Sequence, residues 1–466
     1  MSSSAIISLL DTAITQSLRE QDCVIPLAAD QSSRPAIAVA FSGGLDSSVL
    51  LCAAKAVADR LNISLFAFHV HHGLSANADA WRLHCQQTAE QLGVPFDARE
   101  VTLQATAKTG VEEAARQARY RALGAMCQAH GVGLLLTAHH QNDQAETILL
   151  HMLRGTGVSG LSGMDAWNVA PDLLGDNTLR IVRPLLHLSR AQLEAAAEVL
   201  GLDHVHDESN DDKRYTRNAL RHTVMPVLAA QFPGFEQRFA RMAAHAQAAQ
   251  RLLFTLAQSD LDVCTIDGDL RVSQLRQLDT DRQDNLLRYW LSSQGLRLPS
   301  TAWLQELRVQ LLEAKEDAQL CVTHPDCHVR RYRDRVIASV RHGLPDADTP
   351  PVNFVWCGEA SIAFPSYHGQ LLFVPSKQGV SADWLKAQSL QLGFRRGGER
   401  LKLAQNRPTK PIKYLYQALD IPAWERPILP ILRAGDKVIY AAGLGLNYHH
   451  VGAADEANIA IHWAPL

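Results

Sequence analysis

Residues 36–51 limit the possible folds more than any other stretch of the chain. Ala36-Ile37-Ala38-Val39-Ala40-Phe41 has the composition of a buried strand, Ser42-Gly43-Gly44-Leu45-Asp46-Ser47-Ser48 follows at once, and an apolar helical segment comes next. A strand feeding a glycine turn and then a helix N-terminus is the opening of a βαβ unit in an α/β domain, a doubly wound parallel sheet. Gly43 and Gly44 permit tight or positive-φ backbone, and the free amides of the helix's first turn carry the positive end of its dipole, so the turn is an anion site. The spacing is not GxxxxGK[ST], and no lysine stands where it would grip a γ-phosphate. Asp46 lies beside this cradle, where a carboxylate repels phosphate unless a cation lies between them. Mg²⁺ is therefore expected at Asp46. The plainer alternative is that Asp46, Ser47 or Ser48 only caps the helix.

The following segments supply groups for the same crevice. A second strand over 64–70 ends in His71-His72-Gly73-Leu74, and strand ends in such sheets face the ligand. No cysteine or carboxylate stands at metal-ligand spacing to these histidines, which favours adenine contact by His69, or loop structure alone, over zinc. Glu112, Arg116, Arg119 and Tyr120 share a helix, with Arg116 and Arg119 on nearly one face; this is either a solvated, salt-bridged face or a phosphate contact. A third strand over 133–138 leads into His139-His140-Gln141-Asn142-Asp143-Gln144-Ala145-Glu146 and a helix to Arg154. Asp143 and Glu146, three apart, share a face at that helix's start, where they either complement its dipole or, opposite Asp46, hold Mg²⁺ or orient an amine. The glycine-dense stretch 153–164 is expected to turn or to close over ligand, and residues 165–180 to form a surface loop. A strand at 181–186 and a helix at 189–200 follow, then a turn at 207–210 and a helix placing Arg217 and Arg221 on one face, suited to phosphate.

With 466 residues the chain holds several domains, and a net charge of -3 means that nucleic-acid contact has to come from local patches. Eight cysteines without a CxxC pair fit reduced thiols in a cytoplasmic protein, and residues 1–11 have neither the basic start of a signal peptide nor a span's length of apolar residues. A helix over 5–20 is expected to pack on the first domain. The boundaries expected are 1–229 for the α/β domain, 230–344 for a mainly helical middle domain, and 345–466 for a small β-rich (α+β) domain, the last break marked by Pro345, Pro350 and Pro351. The middle opens with a long helix over 230–262 and holds Arg282, Arg288 and Arg297 on a nucleic-acid face or a merely solvated one, then a strand pair over 321–340. The last domain carries Arg395, Arg396, Arg400, Lys402, Arg407, Lys410 and Lys413, with Tyr414 and Tyr416 following. Cations mixed with rings suit phosphate attraction and base stacking.

The SGGLDS string resembles the loop of the N-type ATP pyrophosphatases, of the adenine nucleotide α-hydrolase-like fold, which cleave ATP between its α- and β-phosphates. HVHHGLSANA, ARQARY, HHQNDQAET, RGTGVSGLSGM, DESN, RNALR and RRGGERL, in that order, resemble the motifs of one family among them, the tRNA(Ile)-lysidine synthetases in their long form. Two positions depart from the family pattern: His71 and Asn142 stand where many members carry Asp. The resemblance implies a ligase that uses ATP and Mg²⁺ to adenylate the wobble cytidine of a CAU anticodon and then joins free L-lysine to its C2. The product, lysidine, changes decoding from AUG to AUA and identity from Met to Ile. It also implies ATP contacts from Ser42, Gly43, Gly44, Leu45, Asp46, Ser47, His69, Arg116 and Arg119, Mg²⁺ on Asp46 and Asp143, and catalytic roles for Asp46, Asp143 and Glu146. Contact with tRNA is expected from Arg217, Arg221, Arg395, Arg396, Arg400 and Lys402. Oligomeric state stays open, a homodimer included. Rival readings are a 2-thiocytidine synthetase, which the lack of CxxC disfavours, a small-molecule amidating ligase, which needs no basic last domain, and a tRNA-binding protein with a decayed loop.

Overall fold

The computed structural model describes residues 3–19, 35–71, 77–101, 111–205, 208–214, 216–266, 268–297, 300–314, 320–340, 346, 348–452 and 457–465. The side chains of Glu112, Ser209 and Asn210, together with His72, Gly73 and Asp207, lie outside the described residues. Two compact units, Met1–Leu253 and Phe254–Leu466, divide the chain.

The first unit is built on a six-stranded sheet of order β3-β2-β1-β4-β6-β5. Its strands are β1 (Ala36–Ala40), β2 (Ser64–His71), β3 (Phe96–Glu100), β4 (Leu134–Leu136), β5 (Trp167–Val169) and β6 (Arg180–Val182). All pairs are parallel except β5 with β6. Period-two alternation in β1 and β4 feeds two apolar layers at once. Ile37, Val39, Leu134 and Leu136 face a core shared with α1 (Ser3–Arg19) and α2 (Leu45–Leu61). Ala38 and Leu135 face a second core with Tyr120, Leu123 and Met126 of α4 (Val111–Ala129). Between these helices in the chain comes α3 (Ala78–Gln91), whose Cys85 and Ala89 join the first core. The chain steps outward from β1 to β3 and then crosses back to β4, so the crevice between β1 and β4 is the point where strand order reverses.

Residues 165–180 are not a loop. They hold β5, an antiparallel edge strand, and the short α7 (Pro171–Leu174), following α5 (Gln141–Leu153) and α6 (Val158–Leu161). A Cβ on Gly124 of α4 would sit 2.0 Å from the Leu174 carbonyl oxygen, which is why α7 docks so closely there. Ser189 caps α8 (Arg190–Leu200) in a reciprocal box with Gln192. Downstream, α9 (Thr216–Ala219) passes into a π turn over Leu220–Val224 and then α10 (Met225–Gln231). Pro226 has no N–H to give the carbonyl four residues back, and the Met225 amide bonds instead to Leu220, five back. The last helix to begin in this unit, α11 (Phe235–Cys264), runs past the division between the units.

In the second unit the helices α12 (Val272–Leu275), α13 (Thr280–Ser293) and α14 (Thr301–Glu313) are accompanied by a five-stranded antiparallel sheet that includes Cys327–Tyr332 and Arg335–Val340. Leu286, Leu287, Trp290, Leu304 and Leu307 pack with Val329 and Val336 of that sheet. Beyond residue 348 the structure is β-rich. A further five-stranded sheet holds Leu390–Gly393, Ile431–Ala434 and Lys437–Ala441, and a three-stranded one pairs Gly369–Ser381 with Asn458–Pro465. Trp356, Tyr367, Phe373, Leu390 and Ile439 belong to one core.

Candidate active site

The loop after β1 is stitched from within. The Phe41 amide donates to Phe68 O at 2.8 Å, Ser42 Oγ and Ser47 Oγ are 3.1 Å apart, and Ser47 Oγ donates to Gly44 O at 3.0 Å. Gly43 has φ 82, and a Cβ there would lie 2.8 Å from Cys85 Sγ and 3.1 Å from Val205. Only glycine fits. Gly44 differs: its φ is -74, an added Cβ would meet nothing nearer than 3.6 Å, and as N-cap of α2 it offers no side chain. The first-turn amides of α2 therefore have no side-chain cap. Asp46 is inside that turn and its carboxylate goes elsewhere, which removes the capping alternative for it.

Because β1 and β4 are neighbours, the turn after β4 delivers α5 opposite α2. His140 is the N-cap of α5: its Nδ1 accepts from the Asn142 amide at 3.2 Å, and its backbone N–H donates to Asp143 Oδ2 at 3.0 Å. An accepting Nδ1 puts the neutral ring's proton on Nε2, and that atom lies 3.4 Å from Asp143 Oδ2 and 3.8 Å from Asp46 Oδ2. One buried imidazole thus sits between the two carboxylates. Burial raises the Asp46 pKa above the ordinary carboxylate value, with Asp143 adding and His140 and Arg190 opposing. At Asp143 burial also pushes upward, but His140, Arg217, His139 and the His140 amide together bring it down to about 2.

Glu146, only 1 % exposed, is saturated. Arg221 Nε donates to Oε1 at 2.6 Å, Arg221 Nη2 to Oε2 at 2.9 Å, and Arg217 Nε to Oε2 at 2.9 Å. Both guanidiniums also reach Asp143 Oδ1, at 3.3 Å and 3.0 Å. Arg217 and Arg221, expected on a phosphate-facing surface, thus spend donors on the two acids of α5. The reason is register: an i,i+4 pair of arginines from α9 and the π turn meets an i,i+3 pair of acids.

Other expected contacts are spread more widely. His69 is buried, its Nδ1 lies 2.9 Å from Phe41 O, and burial first of all lowers its pKa, so it is a neutral ring tying β2 to the start of the loop. Arg116 and Arg119 are exposed and flank the Tyr120 ring at 5.2 Å and 5.6 Å. His139, bonded to Thr137 Oγ1 at 3.0 Å, has its pKa driven down to about 3, by burial first and by Arg183, Arg217 and Arg119 next, against the pull of Asp143. Asn142 Oδ1 accepts from the Arg190 amide at 3.0 Å, as an aspartate also would, and Nδ2 donates to Glu236 at 3.3 Å, which an aspartate cannot do.

Sequence reasoning missed four groups here. Arg190 Nη1 lies 2.8 Å and 2.6 Å from the two Asp46 oxygens. Arg183, only 8 % exposed, donates to Asp165 O and Asn168 Oδ1, both at 2.8 Å. Gln144 holds both the N–H and the carbonyl of Met164, and Gln247 donates to Ser162 O and Met164 O, so these two amides shape the glycine-rich loop. Only the RP at 183–184, after a strand, was a usable signal.

In the second unit the basic stretch is folded around an acid. Glu399 accepts from the amides of Arg396 and Gly397, at 2.6 Å and 2.9 Å, and from buried Arg433 at 2.8 Å. Arg396 and Arg400 are exposed, with one donor each to Gln391 and to Thr409 O, and Lys402 Nζ lies 5.5 Å from the Tyr448 ring centre. Arg395 is half-buried, with Nη1 unpartnered. Tyr416 does not offer a ring to a base: it is fully buried, its hydroxyl donating to Ala442 O, whereas Tyr414 is 59 % exposed. Arg282 and Arg297, considered for a nucleic-acid face, pair with Asp260 and Asp326.

Comparison with known proteins matches three family models along the chain. A PP-loop domain covers residues 15–228, a TilS substrate binding domain 270–337 and a TilS substrate C-terminal domain 390–463. A tRNA(Ile)-lysidine synthase from Ralstonia nicotianae is 41 % identical over 440 residues, 92 % of this chain and 93 % of that protein. One from Burkholderia pseudomallei is 41 % identical with the same coverage, and one from Coxiella burnetii is 37 % identical over 87 % of this chain and 88 % of the relative.

Proposed function

Because the chain belongs to the tRNA(Ile)-lysidine synthase family, and its reaction is therefore ATP-dependent lysidine formation on tRNA(Ile), we propose which of its residues carry out that reaction. The observation that carries the reading is the uncapped first turn of α2, with Asp46 facing Asp143 across one imidazole. Amides without a side-chain cap next to a carboxylate suit a phosphate chain with a cation between.

The phosphates of ATP lie along Ser42, Gly43, Gly44, Leu45 and Ser47, with the open side of Gly44 letting them approach the backbone. Mg²⁺ suits the oxygens of Asp46, since that ion takes one or two carboxylates and leaves its remaining positions to phosphate and water, and Asp143 opposite it is then left for the lysine ammonium. Among the described residues no three His, Cys, Asp or Glu side chains form a metal site by themselves, which fits a cation shared with nucleotide. When bound, it would withdraw charge from the pyrophosphate leaving group. Adenylation of the cytidine C2 oxygen converts a poor leaving group into AMP, which the lysine side-chain amine displaces.

The two acids of α5 divide the remaining work. Glu146 anchors Arg217 and Arg221 and has no free oxygen for substrate. Asp143, ionised down to a pH of about 2, attracts the ammonium of free L-lysine but is too weak a base to deprotonate it. His69 supports the loop, and exposed Arg116 and Arg119 are placed for phosphate or carboxylate. Contact with the CAU-bearing tRNA falls to residues 230–344 and 345–466, with Arg396, Arg400 and Lys402 on the outer face. A substrate of this kind fits a cytoplasmic location, and no helix among the described residues is long and apolar enough to cross a membrane.

Asp143→Asn tests the division. Its KM for lysine rises at least about tenfold, from loss of a charge-assisted contact, while tRNA-dependent pyrophosphate release at saturating lysine falls less. An unchanged lysine KM would reassign Asp143.

A further inference from the structure

Arg190 opens α8 with nothing in the local pattern to mark it, yet its guanidinium reaches back 144 residues to Asp46. One nitrogen, Nη1, lies 2.8 Å and 2.6 Å from the two carboxylate oxygens, and Nε donates to Glu194 at 2.9 Å. The start of α8 is fixed from two sides. Ser189 and Gln192 cap it, and the Arg190 amide donates to Asn142 Oδ1, whose Nδ2 is in turn held by Glu236. The side chain is 39 % exposed, so it has room to turn while its backbone stays put.

We propose that Arg190 is a phosphate-binding residue of the ATP site, and that it exchanges partners with magnesium. This inference rests on the reading that Asp46 holds Mg²⁺ beside the phosphates. A divalent cation on Asp46 cancels the charge that holds the guanidinium there and repels it, so loading of Mg·ATP turns Arg190 away from Asp46. Its fork then meets the nearest anion, the β- and γ-phosphates on the first turn of α2, where bidentate pairing is available. Arg190 thereby pairs with Asp46 in one state and with the leaving pyrophosphate in the other. Asn142 is the positioning residue: it satisfies the Arg190 amide and Glu236 at once, whereas Asp at 142 would set a second carboxylate 3.3 Å from that of Glu236. Asn142 and Glu236 are therefore a matched pair.

Equilibrium binding to the full-length protein tests this, with Mg·α,β-methylene-ATP as one probe and Mn²⁺ alone, read by electron paramagnetic resonance, as the other. In Arg190→Met, affinity for the nucleotide falls about tenfold to a hundredfold, as for loss of a charged hydrogen-bonded pair, while Mn²⁺ alone binds more tightly because its competitor for Asp46 is gone. Arg190→Lys recovers part of the nucleotide affinity. Asn142→Asp weakens nucleotide binding, and adding Glu236→Gln restores it. Parallel losses for both probes, or no change in either, would overturn the exchange. Failure of the wild-type protein to bind the nucleotide at all would instead overturn the assignment of the ATP site, and this inference with it.

Discussion

Glu146 accepts three hydrogen bonds from two arginines in a nearly water-free position. Removing a buried partner leaves charge uncompensated, so Glu146→Ala lowers stability by about 3–5 kcal/mol in urea unfolding, and Glu146→Gln by less. A loss below about 1 kcal/mol would show that water already shares the pair. At this scale the sequence was informative about which residue types meet and silent about what they do to one another. Spacing put Asp143 and Glu146 on one face and Arg217 and Arg221 on another, but that the two faces close on each other depends on a tertiary contact spanning 71 residues or more. Arg190 was invisible for the same reason: its only distinction is a partner far away in the chain.

Among the elements, the turn between β1 and α2 separates two kinds of glycine. Gly43→Ala forces a Cβ against Cys85 at positive φ and costs about 1–3 kcal/mol. Gly44→Ala is compatible with φ -74 and ψ 164 and leaves thermal stability unchanged or raised by about 0.4–1 kcal/mol, yet weakens Mg·ATP binding because the methyl stands where phosphate approaches the backbone. Thermal unfolding with nucleotide titration on both variants checks the pair; equal binding by wild type and Gly44→Ala would remove Gly44 from the cradle. Strongly patterned elements were legible: β1, α5 and α8 lie close to their expected bounds, whereas the long helix expected from 230 begins only at Phe235, after α10 has ended at Gln231. Weak signals were not. α3 buries only Ala78, Cys85 and Ala89, β3 at the sheet edge has no fully buried residue, and β5 is three residues long, so none shows a clear period.

For the molecule as a whole, the proposed reading assigns the chemistry to the first unit and tRNA contact to cations of the second. A net charge of -3 supplies no general attraction for tRNA, so exposed local cations carry it. Arg400→Ala and Lys402→Ala each weaken tRNA binding about threefold to tenfold and reduce the salt slope by about 1, with ATP affinity unchanged; filter binding across a salt series measures both. A loss of ATP affinity of the same size would contradict the division of labour. The β-rich end was legible from its short strands and its basic run, but not which of its residues face water, as buried Tyr416 beside exposed Tyr414 illustrates. The most direct test of the whole account is pyrophosphate release from ATP by the purified protein with Mg²⁺ and labelled lysine, with and without tRNA(Ile) bearing CAU. The account predicts release that depends on tRNA, with lysine appearing in the tRNA and both lost in Asp46→Ala. Release without tRNA, or tRNA-dependent release with no lysine incorporated, would contradict it.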